Sequence, residues 1–278
     1  MTALSGLREI AGSRELLASL TRRELRGRYR GSALGWGWSL LNPLATMIIY
    51  TFVFSLLLRI VPPVGEQTGI KNFAMFLLCG LLPWNLVSAG LSGGAGALVS
   101  NGNLIKKVYF PRETLVASTV LALVVTFGVE LLVLGVALVF FGHVVLIELP
   151  AVLLMITLLA AFTLGLALVA SVLNVYFRDV QYFIGIGTQI WFYATPIIYP
   201  VAYAQEFGEK YDVLGVSLFS IYQLNPLFAF VEGFRDALYD GVYPSLVRWA
   251  VMTVWAVASL VVGYAVFQKF RGRLAEEL

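Results

Sequence analysis

The sequence predicts an all-α membrane protein. It would have six transmembrane helices, an N-terminal amphipathic interface helix and short outer re-entrant or gate helices. Three observations predict this. The 278 residues are 59% hydrophobic and only 13% charged, whereas a typical soluble domain is about 25% charged. Apolar runs recur at about 20 residues, the length needed to cross a hydrocarbon core of roughly 30 Å. Lys and Arg gather on alternate loops, as they do when basic residues stay on the cytoplasmic side.

The same numbers exclude an ordinary soluble domain, a disordered chain and a nucleic-acid-binding module. The net charge of +3 is a small remainder of a large asymmetry along the chain. The single cysteine, Cys79, leaves no internal disulfide and no CxxC metal site. The single histidine, His143, argues against a His-based metal or catalytic cluster. The chain contains no GxxxxGK[ST] loop and no HExxH motif. It is therefore expected to be neither an enzyme nor the holder of a cofactor.

The elements follow in order. Residues 1–35 form a basic head and 36–278 the transmembrane domain. In the head, Leu16, Leu17 and Leu20 make an apolar stripe before a cluster of arginines. Thr21 followed by Glu24 fits a capping box. An amphipathic helix on the cytoplasmic surface is expected, its arginines toward anionic headgroups. The plainer reading is that these arginines only fix orientation.

The spans are predicted at about 36–59, 73–98, 115–141, 151–173, 183–199 and 246–268. The first run is too long for a signal-peptide core and is expected to be retained. With the N-terminus inside, the cytoplasmic side holds Arg8, Arg14, Arg22, Arg23, Arg26, Arg28, Arg30, Lys106, Lys107, Arg112, Arg178, Lys269, Arg271 and Arg273. The outside keeps only Arg59, Lys71, Lys210, Arg235 and Arg248. An even number of spans puts both termini inside.

Within the second span, GLSGGAGA (90–97) supplies small residues that let helix backbones approach closely, and plain packing is the favoured reading. Glu130 is an acid inside the third span. Residues near an interface or facing a watery path are the two readings of such a group. Pro196 and Pro200 bracket the end of the fifth span and predict a break there. Tyr50, Phe54, Trp84, Trp191 and Tyr193 are aromatics of the spans, and Tyr50 and Trp191 lie too deep for an interfacial belt. They would suit a lining that a sugar chain slides past; lipid-facing bulk is the alternative.

The outer stretch at about 200–245 holds apolar runs too short to span. Asn225 reads as an N-cap with Pro226 at the first helical position. Leu227, Phe230, Val231, Phe234 and Leu238 then recur at helical spacing. Glu232, Arg235, Asp236 and Tyr239 fall largely on the other face, and Gly241 can end the helix. An amphipathic helix dipping into the outer leaflet or lying on the surface is expected.

Four ordered segments carry a resemblance. LTRRELRGRYRGSALGWGWSLLNPL (20–44), LIKKVYFPRE (104–113), LNVYFRDV (173–180) and LNPLFAFVEGFRDAL (224–238) resemble the type-2 ABC exporter permeases, in the branch that moves polysaccharides. The resemblance implies a half-transporter in the bacterial cytoplasmic membrane. Two copies would form the pathway, and two copies of a separate ATPase, holding ATP and Mg, would bind below. The substrate implied is a lipid-linked glycan such as O-antigen, teichoic acid, capsule or galactan.

By the same resemblance, Arg22, Arg23, Arg26, Arg28 and Arg30 would form the cytoplasmic interface and attract the lipid pyrophosphate. Lys106, Lys107, Arg112, Glu113, Arg178 and Asp179 would couple to the ATPase. Tyr50, Phe54, Trp84, Trp191 and Tyr193 would line the glycan channel. Pro196, Asn225, Pro226, Glu232 and Arg235 would build the outer gate. Residue chemistry alone leaves open an exporter of a drug or small lipid, or an ATP-independent channel or scaffold.

Overall fold

A computed structural model describes residues 14–28, 31, 35, 37–57, 62–210, 212–213, 216–274 and 277. Among the described residues the regular structure is helical apart from a two-residue antiparallel pairing of Asp212–Val213 with Val216–Ser217. In chain order the helices are α1 (Arg14–Arg28), α2 (Gly37–Tyr50, continued as a wider π-type turn over Thr51–Leu57), α3 (Phe73–Ser100), α4 (Gly102–Lys107) and α5 (Glu113–Phe140). There follow α6 (Leu149–Tyr176), α7 (Val180–Tyr193), α8 (Val201–Glu209), α9 (Leu218–Gln223), α10 (Pro226–Arg235, continued as a π-type turn over Asp236–Asp240) and α11 (Leu246–Phe270).

Among the described residues, α3, α5, α6 and α11 are long and apolar enough to cross a membrane. At 1.5 Å per residue each runs about 38–42 Å, beyond the roughly 30 Å hydrocarbon core. The first predicted span appears instead as two pieces, α2 and its π-type continuation. The fifth is shorter than expected: α7 has 14 residues and ends at Tyr193, not at 199. Its 194–200 backbone unwinds just where Pro196 and Pro200 remove helical donors.

The middle of the bundle is α3, buried over most of its length. Its N-terminus is capped by the Asn72 side chain, which accepts from Ala74 N at 2.9 Å and Met75 N at 3.2 Å. Small residues bring α3 against α6. A Cβ on Gly90 would stand 2.2 Å from Thr163 Cγ2, and one on Gly94 would stand 2.5 Å from Ala167 Cβ. The expected packing role of the 90–97 segment is thus met at these two glycines. The other face of α6 does the same with α11: a Cβ on Gly165 would meet the Ser259 carbonyl carbon at 2.2 Å, and one on Gly263 the Gly165 oxygen at 2.1 Å. Polar side chains reinforce both seams, with Asn174 Nδ2 donating to Ala95 O at 2.9 Å and Ser259 Oγ to Phe162 O at 2.8 Å.

The basic head forms a helix as predicted, but it starts earlier than the capping box implies. Thr21 lies inside α1, and its hydroxyl donates back to Leu17 O at 2.8 Å, so it caps nothing. Leu20 is buried in a cluster with Leu98, Val116, Val120 and Phe267, which docks α1 onto α5 and the ends of α3 and α11. The arginines at 22, 23, 26 and 28 stay exposed on the other side of the helix.

Candidate functional site: a buried node and a basic end

The antiparallel packing sorts the charges into two ends. One end gathers α1, α4, the start of α5, the turn at 177–179 and the end of α11. Arg23 Nη2 donates to Asn101 Oδ1 at 2.7 Å there, and Tyr176 meets Phe270 edge to face at 5.6 Å. The opposite end gathers the 62–72 segment, the 141–148 turn and the stretch from 194 to 245. Its ties include Thr68 Oγ1 to Tyr239 O at 2.6 Å and Glu66 N to Asp240 Oδ1 at 3.2 Å. The described basic residues crowd the first end, and Glu66, Glu148, Glu206, Glu232, Asp236 and Asp240 lie at the second.

At the second end, the sequence around 225 forms the helix it predicts. Asn225 caps α10 by accepting from Leu227 N at 3.1 Å, Pro226 holds the first position, and Gly241 ends the π-type turn with φ 72°. The expected polar face is not there. Every residue from Leu227 to Arg235 is buried, and Tyr239 is 1% exposed. The helix is wrapped by α3, α6 and α11, so its polar residues satisfy one another and nearby backbone.

Arg235 is the centre of that arrangement. Its Nη1 donates to Glu232 Oε1 at 2.7 Å and to Pro196 O, and its Nη2 donates to Ile197 O at 2.6 Å. The guanidinium carbon sits 3.8 Å from the centroid of Phe76. A planar, multiply donating cation is the one side chain that can meet a carboxylate, two carbonyls and a ring at once. The carbonyls it meets belong to the unwound end of α7, which burial would otherwise leave short of donors.

Asn225 makes the second tie to that unwound turn. Its Nδ2 donates to Ala194 O and to Thr195 Oγ1, each at 2.9 Å, and its Oδ1 accepts from Trp191 Nε1 at 2.8 Å. The five residues predicted for the outer gate therefore meet in one node. Pro196 supplies a carbonyl, Asn225 and Pro226 start the helix, and Glu232 with Arg235 close it onto α7.

The predicted lining residues are placed more diversely. Trp84 is 6% exposed and meets Trp191 edge to face at 6.0 Å. Trp191 is half-buried, with its N–H engaged by Asn225. Tyr50 and Phe54 are half-buried, with Phe54 stacked on Phe73 at 4.5 Å. Tyr193 is exposed. Helices α2 and α7 carry an outward apolar face, with Ile48, Phe52 and Leu56 on one and Tyr182, Ile186 and Ile190 on the other. Glu130 is part-buried on α5.

The basic end divides into free and committed residues. Lys106 and Lys107 close α4 and are exposed, as are Arg178 and Asp179. Arg112 instead donates to Arg271 O, and Glu113, 3% exposed, faces Arg271 Nη1 at 3.7 Å and Gln268 Nε2 at 3.5 Å. This pair anchors the end of α11. Arg22, Arg23 and Arg26 line a hollow of about 660 Å³ with Ser19 and Gly27. Arg30 lies outside the described residues, as does most of the RYRGSALGW stretch. Sequence reasoning did not single out Tyr109, 92% exposed beside the lysines, or Phe177, 66% exposed beside Arg178. Their signal was an aromatic within a short charged turn between spans. Phe76 and Tyr239 at the Arg235 node were also missed as partners, since an aromatic in an apolar run carries no local mark.

The comparisons with known proteins agree over almost the whole chain. Residues 15–239 match the family described as ABC-2 type transporter. The chain is 33% identical to the O-antigen export system permease protein RfbA of Myxococcus xanthus, covering 98% of both chains. It is 29% identical to an O-antigen export system permease protein RfbA of Klebsiella pneumoniae, covering 95% of each. It is 23% identical to the polysialic acid transport protein KpsM of Escherichia coli, over 88% of this chain and 90% of that one.

Proposed function

This chain belongs to the ABC-2 type transporter family, and from that premise we propose that it is the permease subunit of an ATP-driven exporter of a lipid-linked polysaccharide. The observation that carries the reading is the end-to-end likeness to an O-antigen export permease, 98% of both chains at 33% identity. In this reading α2 and α7 complete a set of six spans in a bacterial cytoplasmic membrane. Both termini lie on the cytoplasmic side, where the basic end faces anionic lipid. The helix from Asn225 forms a re-entrant outer gate.

Two copies of the chain enclose the pathway. The outward apolar faces of α2 and α7 support this, because they are the ones a second copy would cover. Tyr50, Phe54, Trp84, Trp191 and Tyr193 contribute to the lining as the halves separate. ATP and Mg are held by two copies of a separate ATPase subunit. That partner docks on the exposed Lys106, Lys107, Tyr109, Phe177 and Arg178 turns, with Asp179 at the start of α7. Arg112 and Glu113 transmit its motion into α5 and α11, to which they are bonded. Arg22, Arg23, Arg26 and Arg28 attract the carrier pyrophosphate, since guanidinium groups pair with phosphate oxygens; Arg30 joins them by sequence alone.

Deletion of the gene tests the reading. Cells lacking it should lose the surface polysaccharide and accumulate the lipid-linked glycan inside, and a plasmid copy should restore export. Normal surface glycan in the deletion, or accumulation of a small drug or lipid in its place, would overturn it.

A further inference from the structure

We propose that the cleft between α8 and α9 is a binding site for an uncharged sugar unit of the emerging glycan. It would receive the chain after the outer gate. This rests on the polysaccharide-export reading and goes beyond it by naming a site that lies outside the spans.

The cleft has a volume of about 460 Å³, within the range of small-molecule sites. Its walls are aromatic and firmly built. Tyr203 and Phe207 stand four residues apart on α8, which puts them on one helical face. They are 66% and 58% exposed. The opposite wall is Tyr222 with Ile221 on α9. Tyr222 is fixed between Phe219 at 6.3 Å and Phe228 at 5.6 Å. At Gly208 the two helices touch backbone to backbone: a Cβ there would stand 2.6 Å from Phe219 N. Ser217 Oγ also donates to Gly208 O at 3.2 Å, so the floor is closed.

The chemistry of the rim selects the ligand. Tyr199 Oη donates to Tyr193 O at 2.8 Å, so its proton is committed. Tyr222 Oη, 3.0 Å from Tyr199 Oη, then serves as the donor of that pair. Tyr222 keeps lone pairs free to accept from a sugar hydroxyl. The exposed Tyr203 ring offers a face for the C–H groups of a pyranose, and Phe207 lines the same wall. Among the described residues that line the cleft there is no carboxylate or cation, and the nearby Glu206 and Lys210 pair with each other at 3.0 Å. An acyl chain would leave the hydroxyl edge unused, and a charged ligand would find no opposite charge among the described lining residues. The cleft also continues from α7, since the Tyr199–Tyr193 bond ties its edge to the end of the helix that carries Trp191.

The test uses the purified full-length permease in lipid nanodiscs. The probe is a tritium-labelled oligosaccharide cut by partial acid hydrolysis from the host's own surface polysaccharide, with dodecanol as an apolar competitor. Wild-type protein should bind the oligosaccharide saturably and resist dodecanol. Tyr203→Ala and Phe207→Ala, both at exposed positions, should each weaken binding about tenfold, the worth of one aromatic contact. Tyr222→Phe, which keeps the ring, should weaken it about threefold. Leu132→Ala, on the exposed face of α5, should leave it unchanged. No saturable binding, equal affinity in the alanine variants, or displacement by dodecanol would overturn the proposal. If gene deletion abolishes surface glycan while the binding results go against the cleft, only the cleft falls. If deletion leaves the glycan in place, the export reading falls first.

Discussion

Glu232 and Arg235 form an ion pair of 2.7 Å within the same buried helix. Arg235 is 2% exposed, and its other donors hold the carbonyls of Pro196 and Ile197. Removing one member of a buried pair leaves an uncompensated charge and costs about 3–5 kcal/mol. Arg235→Ala should therefore lower stability by that amount, read as a fall in the melting temperature of the solubilised protein. Arg235→Lys should recover little, because a single ammonium cannot reach a carboxylate and two carbonyls together. The Glu232→Leu, Arg235→Leu double variant should lose less than the sum of the two single losses. Additive losses would show that the pair does not act as a unit.

Asp240 gives the acidic end a pH dependence. Burial pushes its carboxyl up to about 6, although Glu66 N donates to it. The folded pKa thus lies above the unfolded one, so the folded state binds the proton more tightly. Stability from this group is fully present below about pH 4 and is lost as pH rises toward and through 6. Asp240→Asn keeps an oxygen for Glu66 N and removes the charge. It should melt higher than wild type at pH 7 and show a smaller loss of stability between pH 4 and 6. Identical slopes for the two proteins would assign the dependence to other groups.

The extent to which the sequence discloses this molecule follows its physics. Long apolar runs need no partner to be recognised, and α3, α5, α6 and α11 fall within a few residues of their predicted limits. Asn225, Pro226 and Gly241 were legible because capping is local chemistry. The burial of Glu232, Arg235 and Tyr239 was not, because their helical wheel looks amphipathic and only tertiary packing places α3 and the unwound end of α7 on the polar side. The shortness of α7 has the same origin: prolines announce a break, but the Asn225 and Arg235 donors that hold the unwound turn come from a distant segment. Thr21 misled because a capping pattern also arises by chance inside a helix.

The basic end separates two kinds of charge that look alike in sequence. Lys106 and Lys107 are exposed, whereas Arg112 and Glu113 are bonded to the end of α11. Reversing Lys106 and Lys107 to Glu should leave the melting temperature unchanged, since isolated surface charges contribute about 0–1 kcal/mol. It should still lower ATPase stimulation by the assembled transporter. Glu113→Ala should lower the melting temperature, because the carboxylate is 3% exposed and leaves Arg271 and Gln268 without it. If the lysine variant couples normally, the docking face lies elsewhere.

The seam between α6 and α11 makes the last prediction. Gly165 and Gly263 face one another so closely that a Cβ on Gly165 would stand 2.2 Å from the Ser259 carbonyl carbon, and one on Gly263 would stand 2.1 Å from Gly165 O. The obstacle is backbone in both cases, so no rotamer change relieves it. Gly165→Ala and Gly263→Ala should each cost about 1–3 kcal/mol by overpacking. The helices would have to separate, breaking the Ser259 bond to Phe162 O as they do so. Gly128 on α5 is the internal control, because nothing lies within 4 Å of its Cβ position. Gly128→Ala should be neutral or stabilising by about 0.4–1 kcal/mol, through the greater helix preference of alanine. Thermal unfolding of the three variants separates the effects. Equal melting temperatures would mean that the α6–α11 seam yields without cost and is not what holds the bundle at this distance.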